Sequence, residues 1–232
     1  MKHKLLSTMM TLCIALMLMT VSAMAEANVA QIGETGYATL QEAVNAAKSG
    51  ETVTLLTDIA EDVTIDKNIT LDLGGKTLTN TNAGVSTLTV TERAVVTAKN
   101  GSIVGGTGRY TIEVAKGSNA NLTLTDITAK AGNTGSSMID NWGTLTIESG
   151  TYSGGLNVVK SEEGSTLTIK GGTFTLDYAV AWSYNAVILV YGDTTINGGT
   201  FINNATTPAK AYPQVVMTGV VEGYTAITKV TG

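Results

Sequence analysis

The chain has 232 residues, a formal charge of −5 and a sequence pI near 4.9; it contains 14 % charged residues, 26 glycines and two prolines. Nucleic acid requires a basic surface, so this acidic balance excludes it as a partner. The length suits one domain, and glycine mixed with threonine, valine and isoleucine points to extended strands joined by turns.

Residues 1–25 read as a signal peptide. Lys2 and Lys4 precede the apolar run Met9 to Val21, which is too short to span a bilayer, and Ala23-Met24-Ala25 supplies the small-x-small cleavage pattern. Cleavage near Ala25 leaves 207 residues and removes the only histidine, His3, and the only cysteine, Cys13. Lys2 and Lys4 leave as well, so 12 basic residues face 19 acidic ones, a net charge of −7. Thiol nucleophiles, imidazole bases, zinc fingers and disulfides are thereby excluded from the mature chain. The expected localisation is secreted, extracellular or at the cell surface, with no transmembrane segment after cleavage.

Residues 26–57 are expected to hold an N-terminal strand and a capping helix. In "YATLQEAVNAAKSGETVTLL", Thr39 and Glu42 form a T-x-x-E capping box, Leu40, Val44 and Ala47 share one face, and Gly50 ends the helix.

Residues 58–205 repeat one phrase. "GTLTIESGTYSGG" returns as "GSTLTIKGGTFTL" and "GDTTINGGTFINN". Leu145 and Ile147 alternate with Thr144, Thr146 and Glu148, the period of a strand with one buried face. Weaker copies upstream suggest Leu73, Ala98, Leu124, Ile147, Ile169 and Ile196 as equivalent positions, with steps of 22 to 27 residues. Gly150, Gly172 and Gly199 mark a corner, after which Tyr152, Phe174 and Phe201 re-enter the interior, with Leu78 and Ile103 as their upstream counterparts. A loose period in the twenties with no second helix predicts an all-β, right-handed parallel β-helix (solenoid) with a short N-terminal capping α-helix. The aromatics should stack, and Glu148 should lie beside Lys170 on the outside. Residues 206–232 lose the repeat and read as a C-terminal coil or cap, whose open end leaves self-association through the solenoid end as an expectation.

A helix such as "TLQEAVNAAKSGETVTLL" followed by "VTIDKNITLDLGGKTLT" and the "GTLTI-GGTF" repeats resembles secreted bacterial proteins of the pectate-lyase-like β-helix superfamily. It is similar in particular to their small repeat-bearing surface proteins. The resemblance covers roughly Gln31 to Asn204 and implies a fold that serves lyases, hydrolases and adhesins alike.

Lyases of that superfamily imply calcium held by carboxylates of neighbouring coils, with an arginine or lysine base. On the register above, one outer column reads Gly74, Lys99, Thr125, Glu148, Lys170, Asn197, and the column of Asp72 is otherwise threonine, so neither stacks acid on acid. The remaining metal candidates are Asp140, Glu162 and Glu163, in turns of adjacent coils. Arg93 and Arg109 are the only arginines and the candidate lyase bases. Polygalacturonase-type hydrolysis resembles a pattern of paired aspartates, a histidine and R-x-K, all missing from the mature chain. "GGKT" at Gly74 lacks the earlier glycine of a phosphate-binding loop.

Aromatics gather late in the chain. Trp142, Trp182, Tyr184 and Tyr191 are the candidates for stacking on sugar rings. Thr-x-Thr pairs such as Thr144/Thr146 suggest a hydroxyl-and-methyl face like that of ice-binding solenoids, interrupted by Glu148 and Lys170. The expected function is therefore a non-catalytic β-helix presenting a surface for adhesion or for binding an extracellular polysaccharide or cell-surface glycan, without a cofactor. The alternative is a calcium-dependent polysaccharide lyase.

Overall fold

The computed structural model describes residues 28–178, 185–205, 214–218 and 228–230. They form a parallel β-solenoid of about six turns, with one short helix near its start. Each full coil lays down three strands. The coil containing Thr144–Ile147 continues through Gly150–Ser153 to Val159–Ser161. The first two strands belong to one long bent sheet, and the third to a second sheet running Val63–Ile65, Leu88–Val90, Ile112–Val114, Ile139–Asn141, Val159–Ser161, Ala186–Val190, Gln214–Thr218.

Vertical files of like residues fill the interior. Leu71, Ala98, Leu124, Ile147, Ile169 and Ile196 pair rung on rung, and all six are buried. The upstream member is Leu71, two residues before the expected Leu73. Seven steps lead from Leu71 to Leu78, whereas five lead from Ala98 to Ile103, the rung partners of those two, so this coil carries two extra residues at its corner. Leu73 is nonetheless buried. It tucks against Gly101, where an added Cβ would lie 2.4 Å from the Leu73 Cβ.

This shift rewrites the outer columns. Asp72 pairs with Lys99, not with the threonines, at an ammonium–carboxylate distance of 3.3 Å. Gly74 lies at the corner and leaves the column, which runs from Thr54 to Asp72 and Lys99 and so sets acid beside base. The Gly74 amide and the Asn100 and Lys99 side chains outweigh the effect of burial and hold the Asp72 carboxyl below its usual value. Farther along, Lys170 meets Glu148 at 2.8 Å, as expected. Thr52, Thr70, Thr97, Thr123, Thr146, Thr168 and Thr195 form an uninterrupted outer row, with these ion pairs in the row beside it.

The aromatic stack is present. Tyr152 and Phe174 lie 5.0 Å apart with 12° between their planes, and Phe174 and Phe201 lie 5.1 Å apart at 10°. The single tyrosine is accommodated because its hydroxyl donates to the Ser149 carbonyl at 2.8 Å. Ile59, Leu78, Ile103 and Ala129 continue this file upstream. Glycine is required at the corner below Tyr152. Gly150 has φ 123°, and a Cβ there would meet the Ile127 carbonyl oxygen at 2.2 Å.

The first rung is closed from two directions. Ala30–Ile32 pairs antiparallel with Thr52–Leu55 and with Thr35–Tyr37, which covers the edge of the long sheet. The helix Leu40–Ala46 carries the expected capping box and buries Leu40, Ala43 and Val44. It stops at Ala46, before Gly50, because Ala47 turns to extended backbone (ψ 139°). The Gln41 amide covers the edge of the second sheet: it accepts from the Thr64 amide at 2.9 Å and donates to the Thr64 carbonyl at 3.0 Å, as a neighbouring strand would. In the C-terminal segment, Gln214–Thr218 and Thr228–Val230 each add a strand to a sheet.

Candidate functional site

The second sheet positions the site. Its strands put Ile112, Ile139, Val159 and Ile188 in the core, so the alternate residues face outward. That outer row reads Thr64, Thr89, Glu113, Asp140, Lys160, Leu189, spaced about 4.8 Å per rung. Trp142 and Glu162 follow their strands by one residue and continue the backbone ladder into the adjoining turns, with Tyr191 on the next coil.

Asp140 faces outward yet is only 1 % exposed. The indole N–H of Trp142 donates to its Oδ2 at 2.8 Å, and Lys116 caps the Trp142 ring with its ammonium 4.1 Å from the centroid. The other oxygen, Oδ1, is buried without a hydrogen-bond partner. Burial and then the negative charge of Glu162 push the Asp140 carboxyl up to about 7, against the attraction of Lys160 and the Trp142 bond.

Lys160 is the hub of the cluster. Its ammonium is ion-paired with Glu162 and lies 5.7 Å from the Tyr191 ring centroid. Burial works to lower the Lys160 pKa, but Glu162 and Asp140 outweigh it and raise it, so the charge is held firmly. Two coils earlier, Arg109 pairs with Glu113 at 3.1 Å and stacks 4.6 Å from the Tyr110 ring, while Ser86 Oγ donates to Glu113 at 2.7 Å. Burial and the charge of Asp140 raise the Tyr110 hydroxyl pKa.

Two hollows flank the Arg109–Tyr110 pair. The one toward the C-terminal coils, about 270 Å³, has Tyr110, Ser136, Ser137, Asn157, Lys160 and Tyr191 among its walls. The other, about 310 Å³, is lined by Asp62, Val85, Thr89, Arg109 and Glu113 among others.

These positions sort the sequence candidates. Asp140 and Glu162 do act on one another, but Glu163 is exposed in the turn. Among the described residues no three His, Cys, Asp or Glu side chains are grouped to hold a metal ion. The three carboxylates expected to bind calcium therefore do not form such a site: the Lys160 ammonium already sits against Glu162. Arg109 as a lyase base is tied to Glu113, and Arg93 is exposed in a turn with positive φ. Trp142 is half-buried under Lys116, Tyr191 lines the hollow, and Trp182 and Tyr184 lie outside the described residues.

Tyr110, Lys160, Ser136, Ser137 and Asn157 were not among the sequence candidates. Aligning "YTIEV", "SMIDNW" and "NVVKSE" as a third strand per coil places Glu113, Asp140 and Lys160 in one row, but these strands lack the glycine-marked phrase of the other face.

Among the described residues no helix is long and apolar enough to cross a membrane. Comparison with protein-family models, with curated proteins and with solved structures gives no match.

Proposed function

We propose that this chain is a secreted or cell-surface β-helix protein that binds glycan without turning it over, in the hollow between Tyr110 and Tyr191. The observation that carries the reading is the make-up of that hollow: two tyrosine rings, the Ser136 side chain and an ammonium line it, backed by Ser137 and Asn157, which are buried and hydrogen-bonded to one another. Rings supply stacking area for sugar faces, and hydroxyl and amide groups supply paired donors and acceptors. The resemblance to bacterial pectate-lyase-like surface proteins agrees with such a role and remains part of the proposal.

The inaccessibility of Asp140 favours binding over catalysis. A general acid must come within hydrogen-bond reach of the atom it protonates, and Asp140 is 1 % exposed beneath its neighbours. The calcium-dependent lyase reading also lacks a ligand cluster among the described residues.

A glycan array probed with the mature chain tests the reading, followed by assays of bound glycans for new reducing ends and for unsaturated uronide absorbance. The expected result is retention without product. Uronide release that a chelator stops would replace this reading with the lyase; retention of no glycan would end it.

A further inference from the structure

The charges around the same hollow narrow the ligand class, an inference that rests on the glycan-binding reading above. Lys160 is the cation in the wall of the 270 Å³ hollow, and it is ion-paired with Glu162. Arg109, on the far side of Tyr110, is paired with Glu113 at 3.1 Å. Three carboxyl groups, Glu113, Asp140 and Glu162, stand against these two cations and Lys116, whose ammonium is already engaged on the Trp142 ring. The Oδ1 of Asp140 has no hydrogen-bond partner of its own.

An incoming uronate or sulfate would have to take Lys160 from Glu162. That exchange strips Glu162 of its ion-pair partner and removes the positive charge that offsets Asp140 nearby, and stranding a buried or half-buried charge is costly. The chain as a whole is also acidic, at −5, so its long-range field repels polyanions. Uncharged hydroxyls meet no such penalty. Ser136 and the tyrosine hydroxyls each both donate and accept, and Leu189 adds an apolar wall beside Tyr191, while Ser137 and Asn157 are buried behind them with their side chains hydrogen-bonded to one another.

We infer that this hollow selects a neutral, hydroxyl-rich glycan and discriminates against uronate and sulfated chains. Lys160 in this view is a positioning residue. Its ion pair fixes the wall between Asp140 and Tyr191, and it is not offered to a ligand carboxylate.

Calorimetric titration of the mature chain tests this with two probe sets of matched length: neutral gluco-, galacto- and manno-oligosaccharides, and oligogalacturonate with alginate oligomers. The expected result is that at least one neutral set binds about tenfold more tightly than either uronate, with little dependence on salt. The substitution Glu162→Gln, which releases Lys160, should raise uronate affinity by about tenfold and narrow that gap. Wild-type salt dependence stands as a second readout should that variant fold poorly. Tighter uronate binding that weakens steeply with salt overturns the inference but leaves the glycan-binding reading in place. No binding in either set overturns both.

Discussion

Lys160 and Asp140 occupy the same outward position on successive coils, yet the Lys160 ammonium is ion-paired with Glu162 on its own coil. Asp140 is left as a buried carboxyl with one indole bond and one bare oxygen. Two properties follow from this division, one measurable in stability and one in binding.

The Asp140 carboxyl ordinarily titrates at 3.8 and is pushed up to about 7 in the folded chain. Between those values the folded state holds a proton that the unfolded state has released, so stability falls as pH rises across this window and levels off above it. The loss is at most about 4 kcal/mol. Melting temperatures of wild type and Asp140→Asn across pH 4 to about 8 should diverge, the variant losing this component of the slope. Parallel curves would show that Asp140 does not titrate in that window.

The Tyr152, Phe174 and Phe201 stack is the broadest apolar element of the core. Phe174→Ala removes a fully buried ring from its middle and should cost about 3–5 kcal/mol by denaturant unfolding. Phe174→Leu should recover a large part of that. A loss below about 1 kcal/mol for the alanine variant would mean that the file is not packed as described.

Gln41 acts as a surrogate strand at the edge of the second sheet. Gln41→Ala leaves the Thr64 amide and carbonyl open, at a cost of about 1 kcal/mol. The exposed edge should also raise self-association, read by light scattering against protein concentration. A variant as monodisperse as wild type would place the protection in the helix body and not in Gln41.

By contrast, the outer pairs Asp72–Lys99 and Glu148–Lys170 are at least partly solvated, with the Lys170 side chain 52 % exposed. Glu148→Ala should change stability by less than about 1 kcal/mol. A larger loss would indicate that the row acts as a network.

The solenoid was legible because its physics is local and repeated: alternation, a corner glycine and an aromatic recur at Ile147–Gly150–Tyr152 and again at Ile169–Gly172–Phe174. The register failed once, at Leu71, because two extra residues at a corner leave the apolar pattern intact while shifting every position before it. The site was much less legible. Asp140, Glu162, Trp142 and Tyr191 could be singled out by residue type. Their grouping depends on short strands of the second sheet, where Asn141 and Ser161 face inward and break the apolar alternation. Tyr110 and Lys160 become visible only when those strands are stacked.

The most direct measurement is the affinity of a neutral oligosaccharide for wild type, Tyr191→Ala and Tyr110→Ala, with the exposed Tyr178→Ala as control. Each wall tyrosine should contribute about 1 kcal/mol or more, a loss of at least about fivefold, while the control binds like wild type. Unchanged affinity in both wall variants would contradict the assignment of this hollow as the binding site.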